Sequence, residues 1–83
     1  MSQVVLSAWE IQQAQNARNR ARIMLILKSF PCGLTTQQIV AKEQETFGYT
    51  FLTDNRLREL RAMGWVTSEE RSDKRLHWKA SAP

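Results

Sequence analysis

The sequence predicts a mainly α-helical domain with a small β-hairpin: three helices come first and the hairpin follows them. Two observations predict this order. Apolar residues recur at helical spacing in residues 8–29, 36–45 and 51–63. Two short segments, 65–69 and 75–79, then flank a charged, turn-prone centre. The chain has 83 residues, which is the size of one small domain.

The first helix is predicted to begin near Ala8, because Ser7 and Glu10 have the spacing of a capping box. Asn16 offers a second start, so residues 8–29 form either one helix or two. Pro31 ends the segment, since the residue before a proline disfavours helix. The apolar stripe predicted to face the core consists of Ala14, Ala17, Ala21, Met24, Leu25 and Leu27.

The second helix is predicted over residues 36–45, with Thr35 as its cap and Ile39 and Val40 as its apolar anchors. The segment 46–50 that follows is rich in turn-forming and aromatic residues. We expect it to be a loop that leads into the third helix.

The third helix is predicted over residues 51–63, starting from Thr50 or Thr53 and ending at Gly64. Leu57 and Leu60 lie three residues apart and form its core-facing pair. At 100° per residue, the opposite face and its two flanks carry most of the polar side chains. The outward face holds Asn55, Arg58, Glu59 and Ala62, and its flanks hold Arg56 and Arg61.

The hairpin is predicted to run from residue 65 to residue 79, with Ser72 and Asp73 as turn formers. Leu76 and Trp78 share one face of the second strand, because side chains alternate along a strand. Trp65 and Trp78 are expected to pack under the hairpin. The other face of the second strand holds Arg75, His77 and Lys79.

Composition excludes several classes of protein. No apolar run approaches the roughly 20 residues that a membrane span needs. Cys32 is the only cysteine, which fits a reducing cytoplasm, and the sequence has no metal-binding, cofactor-binding or nucleophilic motif. We therefore expect no enzyme activity. The net charge of +4 favours an acidic partner such as nucleic acid.

Three stretches of the sequence resemble the winged helix-turn-helix family of DNA-binding domains. "ARIMLILKSFPCGLTTQQIV" is similar to its first two helices, "RLRELRAMGWV" to the end of its recognition helix, and "TSEERSDKRLHWKA" to its wing. The resemblance covers residues 17–79. We therefore divide the chain into an N-terminal extension (1–15), a winged helix-turn-helix domain (16–80) and a frayed tail (81–83).

The resemblance implies that the chain binds double-stranded DNA, with helix 51–63 in the major groove and hairpin 65–79 on the backbone. Asn55 and Arg58 are the candidates for reading bases, because their side chains can form paired hydrogen bonds with adenine and guanine. The alternative is a solvated face on which Arg58 pairs with Asp54. The candidates for contacting phosphates are Arg56 and Arg61 on the helix and Arg71, Lys74, Arg75 and Lys79 on the wing.

The chain is expected to be a transcriptional regulator, but a second class fits the sequence. A winged-helix module that docks on a larger protein complex would also tolerate Glu59 on the outward face and the acids in the wing. Its sign would be an exposed apolar patch, for example around Trp9. Residues 4–6, Val-Val-Leu, pack either on the domain or on a second chain, so both a monomer and a homodimer remain open.

Overall fold

Three helices surround one face of a small antiparallel sheet, in a computed structural model that describes residues 7–50 and 52–81. The strand order is β1-β3-β2, and β2 and β3 form the hairpin. The elements are α1 (Ala8–Lys28), β1 (Leu34–Thr35), α2 (Thr36–Phe47), α3 (Thr53–Ala62), β2 (Val66–Glu70) and β3 (Leu76–Ala80). The predicted fold class, three helices with a small hairpin in the winged helix-turn-helix layout, is confirmed.

Helix α1 is one continuous helix, which resolves the choice between one helix and two. Half of the predicted capping box is found: the Ser7 side-chain oxygen accepts a hydrogen bond from the Glu10 backbone N–H at 3.2 Å, but the Glu10 side chain does not return one to Ser7 among the described contacts. The predicted apolar stripe is partly wrong. Met24 and Leu27 are buried, but Leu25 is 64% exposed and the three alanines are exposed. The three alanines lie on the side of α1 that faces away from the core, whereas Ile23 and Ile26 are buried beside Met24 and Leu27.

Strand β1 was not predicted. Leu34 pairs with Trp78 and Thr35 with His77, so this two-residue segment forms the third strand of the sheet. Thr35 then caps α2 in a reciprocal capping box with Gln38, as its position before the helix predicts. Helix α2 continues two residues beyond the predicted end and stops at Gly48, whose φ of 82° is left-handed.

Helix α3 begins at Thr53, one of the two predicted starts, and its N-cap residue Leu52 is left-handed with a φ of 54°. Phe51, the predicted first residue, lies outside the described residues. Leu57 and Leu60 are fully buried, which confirms the predicted core-facing pair.

The hairpin strands lie one residue later than predicted. Trp78 is 2% exposed and its ring N–H donates to the Thr36 hydroxyl at 3.0 Å, so its predicted packing is confirmed. The prediction is wrong for Trp65, which is 45% exposed; hydrogen bonds of its backbone, rather than its ring, hold it to Leu60 and Ser81. Leu76 shares the strand face of Trp78 but is exposed; it forms the last pair of the hairpin ladder, with Glu70, next to the tip.

The core joins all three helices to the sheet and leaves the outer face of α3 in solvent. None of the helices in residues 7–50 and 52–81 has an apolar stretch long enough to cross a bilayer. The predictions for Val4, Val5 and Leu6, and for the last two residues of the tail, lie outside the described residues. The buried hydrophobic residues are Ile23, Met24, Ile26, Leu27, Leu34, Ile39, Leu57, Leu60, Val66 and Trp78.

Candidate nucleic-acid interface

The outward ridge of α3 presents the two residues predicted to read bases. Asn55 and Arg58 are both exposed, because the ridge lies opposite the buried Leu57. A guanidinium nitrogen of Arg58 lies 2.8 Å from a carboxylate oxygen of Asp54, with 65% and 54% of the two side chains exposed. An exposed pair of this kind contributes only about 0.3–0.5 kcal/mol. Arg58 can therefore exchange Asp54 for another acceptor at little cost.

Arg56 is not on this surface, and its prediction as a phosphate contact is wrong. Its side chain is 9% exposed and it donates to the Asn16 side-chain oxygen at 2.6 Å. Its Nε has no hydrogen-bond partner among the described residues. Arg56 lies one helical turn before the buried Leu60, so it faces α1 rather than solvent. Arg56 therefore links α3 to α1 inside the domain.

Glu59 is held between two arginines. Its carboxylate lies 2.8 Å from Arg20 of α1 and 2.7 Å from Arg56. The sequence predicts that Glu59 lies on the outward face of α3, where an unpaired carboxylate would repel phosphate. Two nearby guanidinium groups instead compensate its charge, so the acid that weighs most against an electrostatic DNA contact is largely neutralised.

Arg61 lies where α3 meets the hairpin. Its guanidinium donates to the Ser68 hydroxyl of β2 at 3.0 Å and lies 5.4 Å from the centre of the Trp78 ring. These contacts orient the side chain but leave the residue exposed. Arg61 thus places a positive charge at the junction between α3 and the hairpin.

The basic residues of the hairpin fall into two groups that differ in exposure. Lys74, which has a φ of 63°, and Arg75 are exposed. Arg71 and Lys79 are half-buried, and Arg71 already contacts Glu69 at 3.3 Å and donates to the Cys32 backbone oxygen. The tip residues are therefore the more available for an external phosphate.

Asp73 stabilises the turn at the hairpin tip. Its carboxylate accepts a hydrogen bond from the Arg75 backbone N–H at 2.9 Å, and the His77 ring lies at 2.9 Å from its other oxygen. The Arg75 backbone bond, and then the bond to His77, lower the pKa of Asp73 below its ordinary value of 3.8. Asp73 is thus ionised at neutral pH and committed to shaping the turn.

The structure leaves a ridge of α3 and a basic hairpin tip exposed, and it removes Arg56 from the predicted site residues at the surface. Asn55, Arg58, Arg61, Lys74 and Arg75 remain exposed. Together these features define a three-helix fold with a hairpin wing, in which the outer ridge of α3 is accessible to solvent. No protein-family model matches this chain, and a search of curated proteins found no match either.

Proposed function

We propose that this chain is a member of the winged helix-turn-helix family that binds double-stranded DNA in the cytoplasm and regulates transcription. One observation carries the proposal most directly. Helix α3 presents Asn55 and Arg58 to solvent, while Glu59 is neutralised by Arg20 and Arg56. A helix with a polar outer ridge and a compensated acid fits the major groove, which is wide enough to admit it.

In this proposal Arg58 reads guanine and Asn55 reads adenine. A guanidinium group can donate two hydrogen bonds to the O6 and N7 atoms of guanine, and an amide pairs with N6 and N7 of adenine. The Asp54 carboxylate competes for Arg58 at 2.8 Å, so the arginine exchanges one exposed partner for a base. The adjacent carboxylate also penalises neighbouring phosphates, which favours base contact over backbone contact for Arg58.

The hairpin tip supplies the backbone contacts. Lys74 and Arg75 are exposed, and Arg75 lines a cavity of about 290 Å³ together with Leu76 and the first turn of α2. Backbone N–H groups at a helix start and a nearby cation both favour a phosphate oxygen. Such contacts fix the orientation of a protein on the duplex without reading sequence.

The test is fluorescence anisotropy with a labelled random-sequence duplex at about 50 and about 200 mM salt, followed by selection of the preferred site. We expect affinity to fall steeply with salt, because binding releases condensed counterions. On the selected site, Arg58→Ala should weaken binding by about 1–3 kcal/mol and relax one base position.

The control variant for this test is Lys28→Ala, which removes an equal charge from the exposed last turn of α1. It should leave the selectivity for the preferred site unchanged. Equal losses for Arg58→Ala on every sequence would instead assign Arg58 to a phosphate. The DNA-binding proposal is refuted if the chain binds neither the random pool nor any selected duplex at about 50 mM salt.

A second candidate function, docking on a protein partner, is favoured by the first half of α1. Trp9 is 70% exposed and Ile11 is 45% exposed, and in the described part of α1 the first buried residue is Asn16. Large apolar side chains on a projecting helix are typical of association surfaces. Sedimentation velocity of the wild type and of Trp9→Ala separates a monomer from a homodimer formed through this face.

A further inference from the structure

A cavity of about 290 Å³ lies between α1 and the segment that joins α2 to α3, and none of its described lining residues belongs to α3. Each described residue that lines it carries a side-chain hydrogen-bond donor, and none of them carries a carboxylate. The lining residues are Gln15, Arg18, Asn19, Arg22 and Tyr49.

Helical spacing places the four α1 donors of this cavity side by side. Gln15 and Asn19 are four residues apart, as are Arg18 and Arg22, so each pair occupies one face on consecutive turns. The result is two amides and two guanidinium groups directed at one concave surface. Tyr49 closes the surface from the other side.

Arg22 is held in place before any ligand arrives. It donates to the Tyr49 hydroxyl, and its guanidinium carbon lies 5.3 Å from the centre of the Phe47 ring and 5.8 Å from that of Tyr49. Cation–π contacts orient a guanidinium group without neutralising its positive charge. An oriented arginine loses less side-chain entropy when it binds an anion.

Arg18 supplies the second charge of the cavity. It is exposed, and none of the ion pairs within residues 7–50 and 52–81 involves it. Arg20 differs from it, since Arg20 is committed to Glu59 at 2.8 Å. The cavity therefore holds two guanidinium groups without a carboxylate in its lining.

We propose that this cavity binds a phosphate group through Arg18 and Arg22, with Gln15, Asn19 and Tyr49 as further donors. Planar guanidinium forks match the oxygen spacing of phosphate, and charge-assisted hydrogen bonds of this type are the stronger ones. The phosphate belongs either to a DNA backbone or to a small phosphorylated molecule. The first source rests on the proposed function, and the second does not.

The small-molecule arm of the test titrates the chain with inorganic phosphate and then with a mononucleotide, followed by NMR of the arginine Nε–H signals. In the wild type we expect saturable shifts at Arg18 and Arg22. Arg18→Ala should weaken this binding at least about tenfold, the loss expected for a charged hydrogen bond. Tyr49→Phe keeps the ring that contacts Arg22 and should weaken phosphate binding less than Arg18→Ala does. Lys28→Ala, the charge-matched control on the same helix, should change nothing.

The duplex arm measures the slope of log affinity against log salt. If a backbone phosphate occupies the cavity, Arg18→Ala should reduce the slope by about 0.9, the value for one phosphate contact on B-form DNA, while Lys28→Ala should not. An unchanged slope together with saturable phosphate binding assigns the site to a small ligand. Absence of both effects overturns the proposal. The phosphate titration does not require DNA binding, so the two proposals can fail separately.

Discussion

Glu59→Gln is the substitution that most directly tests whether the ion pairs of Glu59 with Arg20 and Arg56 hold α3 against α1. It keeps the shape of the side chain and one acceptor oxygen but removes the charge that lies between Arg20 and Arg56. Arg56 then keeps its bond to Asn16 and has at most a neutral amide oxygen in place of the carboxylate, while its Nε remains without a hydrogen-bond partner among the described residues. A guanidinium group that is 9% exposed would face Arg20 with no carboxylate between them.

The expected cost is about 2–3 kcal/mol. Removing one partner of a fully buried ion pair costs about 3–5 kcal/mol. The Glu59 side chain is 36% exposed, so solvent screens part of this loss. A domain of this size has a total stability of about 4–12 kcal/mol. The melting temperature should therefore fall by about 10–20 °C, since each kcal/mol shifts a small domain by about 4–8 °C.

The assay is urea and thermal unfolding followed by circular dichroism, with Glu45→Gln as the matched control. Glu45 lies 3.5 Å from Lys42 and is 72% exposed, so the same chemical change should cost less than about 0.5 kcal/mol there. Adding Arg56→Met to Glu59→Gln should recover part of the loss, because the unpaired buried charge is gone. Equal stability of the Glu59→Gln and Glu45→Gln variants would refute the account.

Four further predictions concern other parts of the fold. Thr53→Val should cost about 1–3 kcal/mol in urea unfolding, because it removes the hydroxyl that donates to the fully buried Glu43 carboxylate at the start of α3; a loss below about 0.5 kcal/mol would contradict this. Gly48→Ala should cost about 1 kcal/mol, since Gly48 has a φ of 82° and open space around it. Gly33→Ala should melt at a lower temperature than Gly48→Ala, because a Cβ there meets the Trp78 backbone oxygen at 3.2 Å. Since the folded-state pKa of Asp73 is lowered, its contribution to stability is present above pH 3.8 and is lost as the pH falls through that lowered pKa. An NMR titration should show Asp73 titrating below its ordinary value, and a midpoint at or above 3.8 would contradict the hydrogen bonds described at the tip.

Local signals in the sequence predicted the helices and the hairpin, because caps, glycines and apolar spacing act over a few residues. The cap at Thr35 and the Leu57–Leu60 pair are examples. Strand β1 has two residues and pairs with a strand 42 or more positions later in the chain, so no local signal marks it. The exposure of Leu25 likewise depends on which side of α1 the sheet covers.

The same distinction explains which site residues were predictable. The exposure of Asn55 and Arg58 follows from helical spacing relative to Leu57 alone. The burial of Arg56 depends on Asn16, a partner 40 positions away on another helix. A buried amide in the middle of α1 is the one signal that points to this contact, since a buried amide needs a hydrogen-bond partner. From the sequence alone, Asn16 was interpreted as a second possible start of the first helix.

Stability and proposed DNA binding use different faces of the same short helix. The inward face of α3 carries the leucine pair and Arg56, and Glu59 at its edge ties the helix to Arg20 of α1. The outward ridge carries Arg58, whose pair with Asp54 is exposed and weak. Arg58→Ala should therefore change affinity at nearly constant stability, whereas Glu59→Gln should change stability first. If Glu59→Gln instead abolished DNA binding while the domain stayed folded, the carboxylate would be acting on the interface itself, by orienting Arg20 or by contacting a cytosine amine, rather than by anchoring the helix.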